Sequence, residues 1–384
     1  MMKTLFANGF VYDTARRCFR KADILVESCG IITDTDYHGE EVENTVDCAG
    51  KYIIPGLVDI HTHGRGGYDF NTADEAGVLR MRRSYAEAGT TTVFATLASE
   101  TVENLYKSID AIKPNSVPAA GNANIAGIHL EGRYLNPKRR GAHPVHLLAP
   151  LDPAELKEFL DAMKPLPARV SAAVEMEGGE EFIKTALAEG AVAAIAHSDA
   201  KYDEAVRCVE LGVTGFTHTF NAMSPLHHRE PGCIAASLLC DSAYSEFICD
   251  GEHIHPEMIR MASRLKPADK FVLITDSMEA SGCEDGEYSI AGQPVIVKNG
   301  KALTLDGAIA GSTLDLFTAM KNYMKFAGKT LEEAIPAATS NPADMMGIGQ
   351  DCGRIEKGYG ADLLILTDKE NPEIESVWIG GKKI

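Results

Sequence analysis

Two hydrophobic periods divide the chain. From Lys3 to about Ile54, short apolar runs alternate with polar positions and stop at turn residues, which predicts strands over residues 4–11, 23–27, 31–33 and 52–54. From Gly56 onward, short continuous apolar runs alternate with helical patterns instead, as in repeated βαβ units. Eight runs qualify as parallel strands: residues 56–60, 90–97, 125–130, 169–174, 192–196, 215–219, 246–249 and 270–274. The helical segments carry their own punctuation. Asp152, Pro153 and Glu155 supply an N-cap, a proline at the first helical position and a capping-box acid, ahead of an apolar stripe of Leu156, Phe159, Leu160 and Met163. Gly89 and Gly212 stand where left-handed C-terminal caps are wanted. After the eighth run, residues 290–305 read as a hairpin turning at Asn299-Gly300, followed by helices over 313–326 and 331–338. Strand patterns return at 361–366 and 376–379, and this tail is expected to pair with the N-terminal β unit.

The fold class is therefore α/β: a (β/α)₈ TIM-type barrel over residues 55–344, with a small β-sandwich domain formed by residues 1–54 and 345–384. The 384 residues fit this division, because a bare barrel needs only about 250. A hydrophobic share of 45% with 24% charged residues is enough to bury a sizeable core. Against 37 basic residues stand 55 acidic ones, and the net charge of -18 argues against nucleic acid or an anionic membrane as partner. The stretch opening Met1-Met2-Lys3-Thr4-Leu5-Phe6 contains too many polar residues for a secretory core or a spanning helix, so a cytoplasmic location is expected. Nine cysteines (18, 29, 48, 208, 233, 240, 249, 283 and 352) include no C-x-x-C pair, and they read as reduced and mostly buried.

Candidate chemistry falls on the strand ends. His61 and His63 follow the first run, Glu131 the third, His197 the fifth, His218 the sixth, His253 the seventh and Asp276 the eighth. In a (β/α)₈ barrel these ends converge on one mouth, so residues far apart in sequence meet. His61 and His63, spaced i, i+2, project to one face and can grip one ion. Any one of these histidines alone is more often a hydrogen-bonded core residue. Their coincidence across six strand ends points instead to a divalent metal, since imidazole and carboxylate are the usual ligands of zinc and similar ions. A metal ion lowers the pKa of bound water from about 15.7 toward 7, and the resulting hydroxide can attack an amide carbonyl. Asp276 is then placed to take up the water's proton and return it to the departing amine.

The run Lys51-Tyr52-Ile53-Ile54-Pro55-Gly56-Leu57-Val58-Asp59-Ile60-His61-Thr62-His63-Gly64 resembles the opening of the amidohydrolase superfamily. Gly127-Ile128-His129-Leu130-Glu131-Gly132, Gly141-Ala142-His143, Thr217-His218-Thr219-Phe220-Asn221-Ala222-Met223, Arg229-Glu230-Pro231-Gly232, Asp250-Gly251-Glu252-His253, Thr275-Asp276 and Gly358-Tyr359-Gly360-Ala361-Asp362-Leu363 narrow it to the N-acetylglucosamine-6-phosphate deacetylase family. The resemblance covers nearly the whole chain. It implies a main metal site of Glu131, His197 and His218, a second formed by His61 and His63, and one or two ions per subunit: zinc, with iron, cobalt or manganese as alternatives. It assigns Asp276 and His253 to catalysis, His253 as oxyanion donor, and His143, Asn221, Ala222, Arg229 and His253 to substrate. Arg229 would reach the phosphate in a neighbouring subunit's site, making a homodimer. The implied reaction is hydrolytic deacetylation of N-acetyl-D-glucosamine 6-phosphate in amino-sugar metabolism.

Other residues carry weaker signals. Lys138-Arg139-Arg140 reads as a solvated face more than a phosphate ligand. Arg133 stands where the family has proline, and its charge either anchors phosphate or shifts substrate preference. His38, His146 and His255 read as surface or loop residues and His129 as support for Glu131, while His227, His228 and Glu175 stay unassigned. Two rivals are a different amidohydrolase, such as a cyclic amidase or a base deaminase, and a non-catalytic scaffold. The first has no evident use for Arg229 and His143, and the second would be expected to have lost ligands.

Overall fold

Eight parallel strands lie side by side in sequence order: Leu57–Thr62, Thr90–Leu97, Asn124–Leu130, Ala168–Ala172, Val192–Ile195, Gly215–Phe216, Tyr244–Ile248 and Phe271–Ile274. They come from a computed structural model that describes residues 3–39 and 42–384, so Met1 and Met2 of the N-terminal stretch lie outside it. The ring is joined just past the strand ends, where the Asp276 amide donates to the His61 carbonyl (2.9 Å) and the His63 amide to the Ser277 carbonyl (2.8 Å). Every residue of the second strand is buried, as expected where helices cover the outside and side chains fill the inside. The α/β barrel expected from the apolar runs is thus present, with strand bounds shifted by a few residues.

The helices seal the outside. Helix Pro153–Met163 buries Leu156, Phe159, Leu160 and Met163, each contributing roughly 1.5–3 kcal/mol of transfer free energy. Asp152 caps it by accepting from the amides of Ala154 and Glu155. The Glu155 side chain does not complete a capping box; Arg133 and Tyr134 draw it toward the barrel mouth. Gly89 (φ 84°) and Gly212 (φ 113°) are left-handed, as their places after the helices require.

Strand Thr4–Asp13 pairs with Cys18–Val26 and, in parallel, with Asn44–Asp47 and Tyr52–Pro55, whose far edge takes the tail strand Leu363–Leu366. The tail continues through Ile374–Ile379, so it pairs with the N-terminal unit as expected. Asn44–Asp47 has no counterpart in the sequence reading. In a flat sheet, the strands of Phe6 and Trp378 would lie three spacings apart, about 14 Å. Their ring centroids are 4.9 Å apart, so the sheet closes over a core that also holds Val11, Ile24, Ile53 and Leu363.

A third sheet covers part of the mouth. The hairpin Gln293–Lys298 and Lys301–Thr304 turns at Asn299-Gly300 as expected, and an additional strand, Gly286–Ile290, joins it. Ile290, Val295, Val297 and Ala302 pack with Met278 beside Ala142, and the Gln293 amide donates to the Ala142 carbonyl (3.1 Å). All nine cysteines are free. Only Cys48, Cys208, Cys233 and Cys249 are buried, whereas Cys18, Cys29 and Cys283 are exposed on peripheral turns and strands, which corrects the expectation of mostly buried thiols. Among the described residues, no helix is long and apolar enough to cross a membrane.

Candidate active site

Glu131 leaves the third strand with its carboxylate buried at the centre of the mouth, and its two oxygens face different partners. Oε1 lies 2.8 Å from His218 Nε2 and 3.4 Å from His197 Nε2. The two imidazole nitrogens are themselves 3.1 Å apart. Oε2 lies 3.2 Å from His61 Nε2 and 3.0 Å from His63 Nε2, and Asp276 Oδ1 stands 3.4 and 3.2 Å from the same two nitrogens. The strand ends therefore bring His61, His63, Glu131, His197, His218 and Asp276 into one cluster.

The donor set fits a divalent cation on three observations. Tetrahedral coordination at about 2.05 Å places ligand atoms about 3.3 Å apart, close to the separations among Glu131, His197 and His218. His197 donates its Nδ1–H to the Arg139 carbonyl (2.7 Å), which leaves the Nε2 lone pair facing Glu131. His61 Nε2 is buried without a hydrogen-bond partner among the described residues, although two carboxylate oxygens lie just beyond bonding geometry. One group of candidate donors joins His61, His63, Glu131 and Asp276, and another joins Glu131, His143 and His197, each with its atoms within 4.8 Å. The shorter distances to His218 favour it over His143 as the third partner of Glu131.

Charge balance follows from the same geometry. Burial penalises the charged form of every group here, but the charge of His61 and hydrogen bonds from His197, His218 and His61 hold Glu131 well below the usual carboxylate range. Burial likewise opposes the Asp276 carboxylate, and His61 and His63 outweigh it, bringing it down to about 2. Burial drives His143 down to about 3, with neighbouring imidazoles adding to the effect, so it is neutral. Its Nδ1 sits 2.9 Å from Ser99 Oγ, and its Nε2 is turned toward Glu131 at 4.0 Å.

His253 is mostly buried beyond the seventh strand, with Nδ1 2.5 Å from Asp250 Oδ2. Burial would lower its pKa, but the Asp250 bond and charge raise it above the ordinary value. Asn221 and Ala222 follow His218 in a tight turn; the Asn221 amide donates to the His218 carbonyl (2.9 Å) and Ala222 is left-handed (φ 50°). Arg229 is exposed on the same loop and donates to His228 Nε2 (2.7 Å). His227 accepts from the Arg229 amide (3.3 Å).

The secondary candidates have defined partners. The Arg133 guanidinium bonds Glu155 (3.1 and 3.2 Å) and the Glu100 carbonyl (3.1 Å). Arg139 pairs with Asp199, and Arg140 donates to the His143 carbonyl, so the basic triplet shapes the loop. His129 is fully buried beneath the cluster, with its ring nitrogens 2.8 Å from Ser171 Oγ and 3.3 Å from Thr96 Oγ1. Glu175 accepts from Asn136, Ser198 and the Asp199 amide, bracing the turn that carries His197. His38, His146 and His255 are exposed, and His255 caps helix Pro256–Leu265.

The sequence reading missed Asp250 as the partner of His253, and it missed a fully buried ion pair, Arg169 with Glu246, in the barrel wall. For the ion pair a signal was available: each is a charged residue inside a run otherwise read as a buried strand, and the two have opposite sign.

The amidohydrolase family profile matches residues 52–384. A Vibrio furnissii N-acetylglucosamine-6-phosphate deacetylase is 31% identical over 364 residues, covering 94% of this chain and 90% of that protein. An Escherichia coli O157:H7 N-acetylgalactosamine-6-phosphate deacetylase is 31% identical over 337 residues, covering 86% and 87%. In three dimensions, a mutant N-acetyl-D-glucosamine-6-phosphate deacetylase from Mycobacterium smegmatis, solved in complex with N-acetyl-D-glucosamine-6-phosphate, superposes with a TM-score of 0.91 at 28% identity, covering 100% of this chain and 99% of that one.

Proposed function

This chain belongs to the amidohydrolase family, and from that premise we propose that it hydrolyses N-acetyl-D-glucosamine 6-phosphate to D-glucosamine 6-phosphate and acetate. The observation that carries the proposal is the Glu131 carboxylate, which offers one oxygen to His197 and His218 and the other to His61 and His63, with Asp276 alongside. Glu131, His197 and His218 hold the main cation, and His61 with His63 holds a second. Zinc suits this imidazole and carboxylate set best, with iron, cobalt or manganese as the other candidates. When bound, the cation supplies Lewis acidity, making water acidic enough to ionise near neutral pH and polarising the acetyl carbonyl.

The chain's own residues do the rest. Asp276, an ionised carboxylate at the rim of the cluster, accepts the proton of the attacking water and delivers it to the nitrogen of the breaking amide. His253 donates from Nε2 to the oxygen on which negative charge develops, because Nδ1 is committed to Asp250. Neutral His143 and the turn at Asn221 and Ala222 orient the sugar and its acetyl group. Arg229, exposed on its loop, is available to bind the phosphate in the neighbouring subunit of a homodimer. The working compartment is the cytoplasm.

Purified protein reconstituted with zinc should release acetate and free amine in equal amounts from N-acetylglucosamine 6-phosphate. No release with zinc, iron, cobalt or manganese would remove the assignment. The Escherichia coli relative supports a second reading, in which the galactosamine epimer is preferred. Comparing kcat/KM for the two epimers decides between them.

A further inference from the structure

In barrels of this type, interior positions are usually filled by Val, Ile and Leu. Here the interior holds Arg169 and Glu246, both fully buried and paired with each other. A buried pair of this kind gives the fold little over a well-packed apolar pair of similar volume, because desolvation offsets the attraction. Its presence in the wall calls for a purpose.

The arrangement supplies one. Arg169 bonds Glu246 through Oε1, and it also donates to Thr217 Oγ1 (2.9 Å) and to the carbonyl of Ile60 (3.2 Å), the residue before His61. The other carboxylate oxygen, Oε2, is fully buried and has no hydrogen-bond partner among the described residues. His61 Nδ1 is also buried and unpartnered, and it faces that oxygen at 3.7 Å. A buried donor and a buried acceptor without other partners, a few tenths of an ångström beyond bonding distance, are each other's natural complement. The opposite nitrogen of the same ring, Nε2, faces Glu131 and Asp276. His63 differs: its Nδ1 is buried without a partner among the described residues, and its carboxylate neighbours, Glu131 and Asp276, both stand at Nε2.

We propose that Glu246, fixed by Arg169, is a positioning residue for the second cation site: it holds the proton on His61 Nδ1 and so presents the Nε2 lone pair to the ion. Arg169 anchors the His61 backbone through Ile60 while Glu246 sets the ring. This rests on the reading of His61 and His63 as metal ligands. The ring nitrogen opposite a metal is ordinarily tied to such a partner, whose loss costs about 10- to 100-fold in metal affinity.

The test is zinc binding by the full-length, metal-stripped protein in competition with a chelator. It compares the wild type, His63→Asn, Glu246→Gln and the double variant Arg169→Met with Glu246→Leu. His63→Asn identifies the equivalent that belongs to the His61 and His63 pair. Glu246→Gln should weaken that equivalent about 10- to 100-fold and leave the other unchanged. The double variant removes both buried charges together, so it retains a native fold if Glu246→Gln alone leaves Arg169 too strained to fold. It should show the same selective weakening. Wild-type affinity for that equivalent in either folded variant would overturn the proposal. If His63→Asn binds as many equivalents as the wild type, the ligand reading of the pair fails and the proposal goes with it, an outcome distinct from the first.

Discussion

Replacing Asp250 by asparagine tests the proposed donor role of His253 through the pH dependence of the reaction. In the wild type, Asp250 Oδ2 takes the Nδ1 proton (2.5 Å), while Oδ1 accepts from the amides of His253 and Glu252, both at 2.9 Å. With Nδ1–H committed, a neutral His253 carries only a lone pair at Nε2 and cannot donate to an oxyanion. Only the imidazolium can. Activity should therefore fall as pH rises through the His253 pKa, which burial would lower but Asp250 raises above 6.5. In Asp250→Asn the amide oxygen can keep both backbone bonds and the amide NH₂ donates to Nδ1, so the neutral ring places its one proton on Nε2. Donation then persists at high pH, but from an uncharged group. A charge-assisted bond is about twice as strong as a neutral one, and one oxyanion donor contributes about 3 kcal/mol. The substitution should thus cost about 1.5 kcal/mol, roughly tenfold in kcat near neutrality, and it should abolish the alkaline limb. Acetate release at saturating metal and substrate, tracked across the neutral and alkaline range, measures both effects. An alkaline limb at the same position in both proteins would refute the reasoning. Stability gives a parallel check with a definite sign. The raised His253 contributes stability that is full below 6.5 and lost as pH rises through its folded value, and the lowered Asp250 contributes above 3.8 and loses it as pH falls. The stability gap between the two proteins should be widest between those limits.

Other perturbations separate the remaining roles. Asp276→Asn should retain the ion held by Glu131, His197 and His218 in elemental analysis yet lose about 10²- to 10⁴-fold in kcat; substantial remaining turnover would remove Asp276 as proton carrier. Arg229→Ala should raise KM strongly for the 6-phosphate. Mixed with Asp276→Asn, it should recover activity at low substrate that neither parent shows, because one site of the mixed dimer regains both groups; no recovery would place Arg229 outside the partner's site. Burial raises Asp362 to about 6, with the Gly380 amide opposing. Ionising it in the fold therefore costs about 3 kcal/mol relative to the unfolded chain. That stability is lost as pH rises from 3.8 through 6, so Asp362→Asn, which keeps the acceptor for Gly380, should unfold at higher urea concentration than the wild type at pH above about 6 and match it in acid. A difference independent of pH would contradict this.

How far each residue was legible in the sequence depends on what specifies it. Barrel strands are buried on both faces, so they appear as unbroken apolar runs, and a polar residue ending such a run lies at the mouth whatever its neighbours are. For that reason His61, His63, Glu131, His197, His218 and Asp276 could be picked out together before any geometry was known. Arg133, Asp250 and Glu246 take their meaning from partners on other segments or turns, Glu155, His253 and His61, and no local pattern announces those pairings. The backbone of the cluster was equally silent. His197, His218 and Asp276 have φ values of 45°, 31° and 49°, in the left-handed region, with no glycine at any of the three positions. This also explains why the sixth strand stops at Phe216, short of the expected residue 219. Each such residue costs about 1 kcal/mol or more, and a backbone hydrogen bond helps to hold it: the Asn136 amide on the His197 carbonyl, the Asn221 amide on the His218 carbonyl within their turn, and the Asp276 amide on the His61 carbonyl. These turns take the chain out of the barrel wall at the cluster residue itself, so the side chain projects across the mouth and not along the strand. The position of each cluster residue is therefore a property of the closed barrel. The same residue types placed one position earlier, on a relaxed strand, would keep the motif and lose the cluster.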